Sequence, residues 1–115
     1  MADRSTPVLE ALHARYAASL MAKRDEMMKA WRAARAAPDD AEACAALHTR
    51  LHRLCGSAPA YGYARLGDLA CEAERRLRSF GVGDAALVGQ MERLLEEIAG
   101  VAAAAAGDGA PEAGG

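Results

Sequence analysis

The sequence has few of the residues that build a β-sheet. Only 4% of its residues are aromatic although 52% are hydrophobic, so alanine supplies much of the apolar content. Alanine is a strong helix former of small volume. No stretch shows the period-two alternation of β-branched and aromatic residues that half-buried strands require. The composition therefore favours closely packed helices and no sheet.

The chain also lacks an excess of positive charge and a long apolar run. Its formal net charge is −2, whereas neutralising nucleic-acid phosphates requires basic surface. No stretch approaches the roughly 20 apolar residues of a membrane span, and the N-terminus has no apolar core of signal-peptide length. At 115 residues the chain is long enough for one domain. We expect a cytoplasmic monomer with no nucleic-acid and no membrane partner.

The sequence contains few cysteines, and their number is odd. The three cysteines, Cys44, Cys55 and Cys71, show no CxxC spacing. An odd count without such spacing argues against a disulfide framework. We expect reduced thiols that act as small buried or half-buried side chains.

Four segments carry apolar residues at helical spacing, separated by capping and turn residues. Thr6 and Pro7 resemble the start of a first helix that reaches about residue 36, with room for one break. The Pro38-Asp39-Asp40 segment supplies a stop and the cap of a second helix, which ends near residues 59–62. A third closes at Phe80 and Gly81, where glycine suits the C-terminal cap, and Asp84 caps a fourth.

These segments predict an all-α fold, an antiparallel four-helix bundle over residues 6–106, followed by a disordered Ala/Gly-rich tail over residues 107–115. Each apolar stripe should face a common core. The predicted core positions are Leu9, Leu12, Tyr16, Leu20, Met27 and Trp31 in the first helix, Leu47, Leu51, Leu54 and Ala58 in the second, Leu66, Leu69, Ala70, Ala73 and Leu77 in the third, and Leu87, Met91, Leu94, Leu95 and Ile98 in the fourth.

Projection of the second helix at about 100° per residue separates its histidines from its apolar stripe. The stripe spans roughly 60° and is centred about 130° away from His52, which should therefore face solvent. Gly56 falls one turn beyond His52 on the same face, with Ala45 and Thr49 as the other close neighbours. His48 lies nearer the edge of the stripe.

Gly56 requires a reason, because glycine inside a helix costs about 0.5–1 kcal/mol relative to alanine. Close approach of another protein to the exposed histidine is one explanation. Tight packing between helices, or fraying toward Pro59, is the other. The sequence leaves both open.

Residues 52–58 read His-Arg-Leu-Cys-Gly-Ser-Ala, and Gly62 follows before an amphipathic helix that carries Glu72 and Glu74. This segment resembles the phosphotransfer motif of histidine-containing phosphotransfer (HPt) domains, H-x-L-K-G-S-A or S with a second glycine six residues on. The motif is short, but it stands at the expected place in the expected bundle. The helical layout extends the resemblance over most of the chain.

The resemblance implies that His52, rather than His48, is the phosphoacceptor. The protein would relay a phosphoryl group between aspartates of response-regulator receiver domains and of hybrid sensor kinases, and its partners would be these receivers and a histidine kinase or hybrid kinase. No cofactor is expected on this chain, since the receiver would supply its own aspartate and magnesium. No Walker-type glycine loop is present, so autophosphorylation from ATP is not expected. The residues expected to face phosphate or partner are His48, Thr49, Arg53, Cys55, Gly56 and Ser57.

One position departs from the family pattern. The lysine expected three residues after the histidine, whose ammonium can neutralise phosphate, is replaced by Cys55. Arg53, His48 or Arg65 could supply positive charge in its place. The charged stretch over residues 72–76 is interpreted first as a solvated helix face and second as part of the surface that docks on a partner.

Three other functions fit parts of the sequence. A metal site on Cys44, His48, His52 and Cys55 cannot use all four side chains, because the two cysteines would be about 16 Å apart along one helix. A pseudo-HPt scaffold or inhibitor, which docks on kinases or receivers without carrying phosphate, would explain the missing lysine. A generic helical interaction domain is the third alternative.

Overall fold

The computed structural model describes residues 5–109, with the side chains of residues 7–106. It contains four helices, α1 (Ser5–Ala36), α2 (Ala41–Ala60), α3 (Ala64–Phe80) and α4 (Ala85–Gly109), and no strand within residues 5–109. The predicted all-helical bundle class is confirmed. None of these helices combines the length and the apolar character needed to cross a bilayer.

The helix boundaries follow the predicted capping residues. The Oδ1 atom of Asp40 accepts hydrogen bonds from the backbone N–H groups of Glu42 and Ala43, at 2.9 and 3.3 Å. Asp84 caps α4 in the same way, with its Oδ2 atom 3.1 Å from the N–H of Leu87. Gly81 closes α3 with a φ of 80°, a conformation that favours glycine. Each cap satisfies backbone groups that a helix end leaves unpaired.

The outer ends of α1 and α4 differ in detail from the sequence expectation. Helix α1 is unbroken over Ser5–Ala36, so the predicted cap residue Thr6 lies inside the helix. Helix α4 continues past residue 106 to Gly109. The rest of the predicted tail, residues 110–115, lies outside the described residues.

The core lies where the apolar stripes of the four helices meet. Helix α1 packs on α2 and α4, and α3 packs on the same two neighbours. The predicted stripes of α2, α3 and α4 are buried, apart from Leu69, which is half-buried against the core. The largest fully buried side chains are Leu20, Leu47, Leu51, Leu66, Leu87, Met91, Leu94 and Ile98.

The prediction that Leu9 and Leu12 belong to this core is wrong. They are 49% and 39% exposed, and every residue from 7 to 15 is exposed. The part of α4 beside this end of α1 is rich in alanine, and a shallow gap there is lined by alanines from both helices. Alanine side chains are too small to cover leucines on a neighbouring helix, so the first turns of α1 stay open to solvent.

Helices α2 and α3 approach closely because Gly67 has no side chain. A Cβ atom at Gly67 would lie 2.6 Å from the Cδ atom of Pro59 and closer still to its Cγ atom. Further from the connecting turn, Cys55 faces Cys71 and His52 faces Glu74. Earlier residues of α2 therefore contact later residues of α3, which means that the two helices form a hairpin and run in opposite directions.

Aromatic residues hold this hairpin against α1. The ring of Tyr16 stacks on that of Tyr61, with 4.3 Å between centroids and 11° between planes. Tyr63 stacks on Tyr16 from further away, at 5.9 Å. The Tyr16 hydroxyl is hydrogen-bonded to the Ser57 hydroxyl at 2.8 Å. Burial raises the pKa of Tyr16 despite this bond, so the phenol stays protonated at neutral pH.

We predict that Gly67→Ala destabilises the protein by about 1–3 kcal/mol, because the new methyl group forces Pro59 and α2 away from α3. Chemical denaturation monitored by circular dichroism measures the change. Gly100→Ala is the matched control, since Gly100 lies in α4 with open space around it. That variant should gain about 0.5–1 kcal/mol. Equal gains in both variants would contradict the close approach at Gly67.

Candidate functional site

The side chain of His52 projects from α2 into solvent on one side and contacts α3 on the other. It is 70% exposed, as its position on the helix predicted. Its Nδ1 atom lies 2.8 Å from the Oε2 atom of Glu74. One ring nitrogen is therefore held by the protein, while the exposed remainder of the ring is open to a second molecule.

Glu74 is the residue of this candidate site that the sequence interpretation did not single out. Residues 72–76 were expected to be mainly a solvated face, but Glu74 is only 7% exposed, the one charged residue buried within residues 7–106. It occupies the same helical face as Ala70, Ala73 and Leu77. A carboxylate at a core-spaced position was the signal available in the sequence, because charged residues are almost never fully buried unless they are paired.

The contact with Glu74 determines which nitrogen of His52 is available for chemistry. An ionised carboxylate only accepts hydrogen bonds, so Nδ1 must carry the hydrogen and donate it. In the neutral ring the Nε2 atom then holds the lone pair. A neutral imidazole with a free Nε2 atom is a nucleophile, and its orientation is set by a buried partner.

His48 lies one turn before His52 and shares the same carboxylate. Its Nε2 atom is 3.0 Å from the Oε2 atom of Glu74, but it is buried and makes no hydrogen bond of acceptable geometry. The two imidazoles are nearly parallel, with 6.1 Å between centroids. His48 is thus a half-buried neighbour of the site, whereas His52 is its exposed member.

The two glycines of the motif, Gly56 and Gly62, have different structural roles. A Cβ atom built at Gly56 would meet nothing within 4 Å, so close packing inside the chain does not explain this glycine. Gly56 and Thr49 are both exposed, which leaves a low surface beside the ring. Gly62, the second glycine of the motif, has a φ of 92° in the turn between α2 and α3. Its role is conformational, since that φ favours glycine.

The expectation that all cysteines are reduced thiols is wrong for two of them. Cys55 and Cys71 form a disulfide between α2 and α3, with 4.8 Å between their Cα atoms. Counting cysteines could not reveal this pair, because it depends on the register of the hairpin. Both residues stand at equal distances in sequence from Tyr63, in the turn. Cys44 is free and half-buried.

The other predicted site residues are distributed over different surfaces. Arg53 is exposed, and together with Lys23 and Arg50 it lines a groove of about 240 Å³ between α1 and α2. Ser57 is turned toward α1 by its hydrogen bond to Tyr16. Arg65, considered as a substitute for the missing lysine, instead pairs with Glu97 of α4 at 3.2 Å. Of these residues, Arg53 is the one beside His52 in sequence with an exposed cationic side chain.

No group of three or more His, Cys, Asp or Glu side chains within the described part of the chain has a geometry that could hold a metal ion. Comparisons with protein-family models, with curated proteins and with solved structures found no match to the chain. The geometry of the His52 site and the sequence motif around it are therefore the features that bear on function.

We predict that Glu74→Gln releases the tautomer of His52. In the unaltered protein, nitrogen NMR at a pH where the ring is neutral should show a protonated Nδ1 atom and an unprotonated Nε2 atom. Glutamine can donate as well as accept, so the variant should show a mixture of both tautomers. Glu72→Gln is the control, because Glu72 is exposed on the same helix. An unchanged His52 spectrum in Glu74→Gln would contradict the assigned hydrogen bond.

Proposed function

We propose that this chain is a histidine phosphotransfer protein that carries a phosphoryl group on the Nε2 atom of His52. The observation that carries the proposal is the 2.8 Å contact between His52 Nδ1 and the buried carboxylate of Glu74, with a side chain that is 70% exposed. It supports a nucleophile that is oriented from inside and approached from outside. The resemblance of residues 52–58 to the HPt motif supports the same function.

The chemistry needs no acid or base from this chain. The lone pair of Nε2 attacks the phosphorus of an aspartyl phosphate on a receiver domain. A P–N bond forms while the P–O bond to the aspartate breaks, and its electron pair returns to the carboxylate. The ring becomes positively charged, and Glu74 stabilises that charge through the Nδ1–H bond. The reverse sequence transfers the group to another aspartate, and the receiver holds the magnesium ion.

The proposed docking surface is the exposed face of α2 around His52. Thr49 and Gly56 leave room for a receiver to bring its phosphoaspartate against the ring, and Arg53, the next residue after His52, carries an exposed positive charge on the side of α2 that faces α1. We further propose an antiparallel, HPt-like arrangement of the whole bundle in a cytoplasmic monomer. The cross-helix pairs Glu26–Arg50, Arg24–Leu95 and Arg65–Glu97 are consistent with that arrangement.

We predict that His52→Gln abolishes labelling of the protein by a radiolabelled phosphorylated receiver, while His48→Gln retains it. The label should be acid-labile and alkali-stable, as expected of a phosphoramidate. Gel autoradiography after acid and base treatment measures this. Circular dichroism of both variants controls for folding.

Equal labelling of His52→Gln and His48→Gln would contradict the assignment of His52. Tight binding of receivers with no label on the unaltered protein would favour the pseudo-HPt scaffold instead. A receiver whose phosphorylated aspartate is replaced by alanine is the control for the donor.

We predict opposite effects of Gly56→Ala on stability and on transfer. The variant should unfold at a higher denaturant concentration, by about 0.5–1 kcal/mol, because alanine favours the helix. Its rate of phosphoryl transfer should fall, because the methyl group occupies the space beside His52. Gly100→Ala, with equally open surroundings in α4, should be stabilised without loss of rate. Equal transfer rates in both variants would exclude a docking role for Gly56.

A further inference from the structure

The disulfide between α2 and α3 lies next to the contact that orients His52. Cys55 follows His52 by one helical turn, and Cys71 precedes Glu74 by one turn. The covalent bond and the hydrogen bond are therefore neighbouring links between the same two helices. The position at which the family pattern has lysine is occupied by one half of this bond.

We propose that the Cys55–Cys71 disulfide is a redox-active site, reduced by dithiols, whose state sets the reactivity of His52. The effect on phosphoryl transfer rests on the proposed function of His52. The effect on the His52–Glu74 hydrogen bond does not. The disulfide form is the competent one, and the dithiol form transfers phosphate more slowly.

Reduction is a thiol–disulfide exchange in two steps. A thiolate of the dithiol attacks one cysteine sulfur, the S–S bond breaks, and the other cysteine leaves as a thiolate that takes up a proton. The second thiol of the reductant then attacks the mixed disulfide, releasing the first cysteine and closing the reductant's own disulfide. The chain gains two electrons and two protons, and the dithiol loses them.

The exposure of the two cysteines and the chemistry of reducing compartments both favour such exchange. Cys55 and Cys71 are both partly exposed rather than sealed in the core, so a thiolate can approach them. In reducing compartments disulfides are rare, and those that form are usually transient, catalytic or redox-sensing. A chain that acts in the cytoplasm would therefore hold this bond only under oxidising conditions.

Reduction changes the site because it removes the covalent bond between α2 and α3 that lies one helical turn from Glu74. Two thiol sulfur atoms in van der Waals contact lie further apart than two bonded sulfur atoms, so the two side chains must separate, and we expect this part of the hairpin to open. The packing of Pro59 on Gly67 holds the helices together nearer the turn, but it lies further from Glu74. A displacement of about 1 Å in a reacting geometry can cost on the order of 100-fold in rate. We expect transfer to slow by about tenfold on reduction.

The test uses the full chain equilibrated in mixtures of reduced and oxidised dithiothreitol, a dithiol, whose reduction potentials range from oxidising to that of the cytosol. Alkylation and mass spectrometry should count one modified cysteine, Cys44, in the oxidised form, and all three cysteines after reduction. Nitrogen NMR on the same samples should show the single tautomer of His52 becoming mixed. Phosphoryl transfer from a phosphorylated receiver should slow in parallel.

Two variants provide the controls. Cys71→Ala should transfer at the slow rate in every buffer, whereas Cys44→Ala should keep the full redox response. Reduced unaltered protein gives the same comparison without a substitution, so a folding defect in Cys71→Ala leaves the test intact.

Several outcomes would overturn the proposal. If the disulfide remains intact at the reduction potential of the cytosol, it is a structural bond and not a redox-active site. Reduction that changes neither the tautomer of His52 nor the transfer rate removes the link to the site. A tautomer that responds to reduction in a protein that never accepts phosphate would retain the redox site while overturning the phosphotransfer function. The two failures are thus distinguishable.

Discussion

The absence of a side chain at Gly67 is the constraint on which the α2–α3 hairpin depends. Pro59 packs into the space that a Cβ atom would occupy, which brings the two helices close beside the turn. The same register then places Cys55 opposite Cys71 and His52 opposite Glu74. A wider separation would leave the carboxylate of Glu74 without its imidazole partner. One close contact near the turn thus aligns the Cys55–Cys71 pair and the His52–Glu74 pair further along the hairpin.

Glu74 and His52 also depend on each other energetically. A buried carboxylate is costly unless it is hydrogen-bonded, and the imidazole N–H supplies that bond. The ring in turn gains a fixed orientation that an exposed histidine on a helix would otherwise lack. Tyr16 of α1 stacks on Tyr61 and Tyr63 of the turn, which holds the α2–α3 hairpin against α1. The helices that carry His52 and Glu74 are therefore packed against the rest of the bundle. A side chain held in a defined geometry in this way is what the proposed phosphoryl transfer would require.

The sequence predicted the features that depend on local periodicity and capping. Asp40 and Asp84 identify helix starts because their side chains complete backbone groups within a few residues. The outward direction of His52 follows from the spacing of Leu47, Leu51 and Leu54 on one helix. The partnership with Glu74 and the Cys55–Cys71 bond could not be obtained this way, because both depend on the register between two helices. Exposure of Leu9 was missed for a related reason, since periodicity identifies an apolar face but does not show whether a neighbour covers it.

The empty surroundings of Gly56 set helix stability against the proposed docking role at a single residue. Programmes that engineer thermostability commonly replace helical glycines with alanine wherever the space allows. By that criterion Gly56 is an obvious choice, because nothing in the folded chain resists a methyl group there. A screen that scored folding alone would therefore accept the change without testing whether the surface beside His52 still admits a partner. Tolerance to substitution within the isolated fold measures how the chain packs and not what its exposed surface binds.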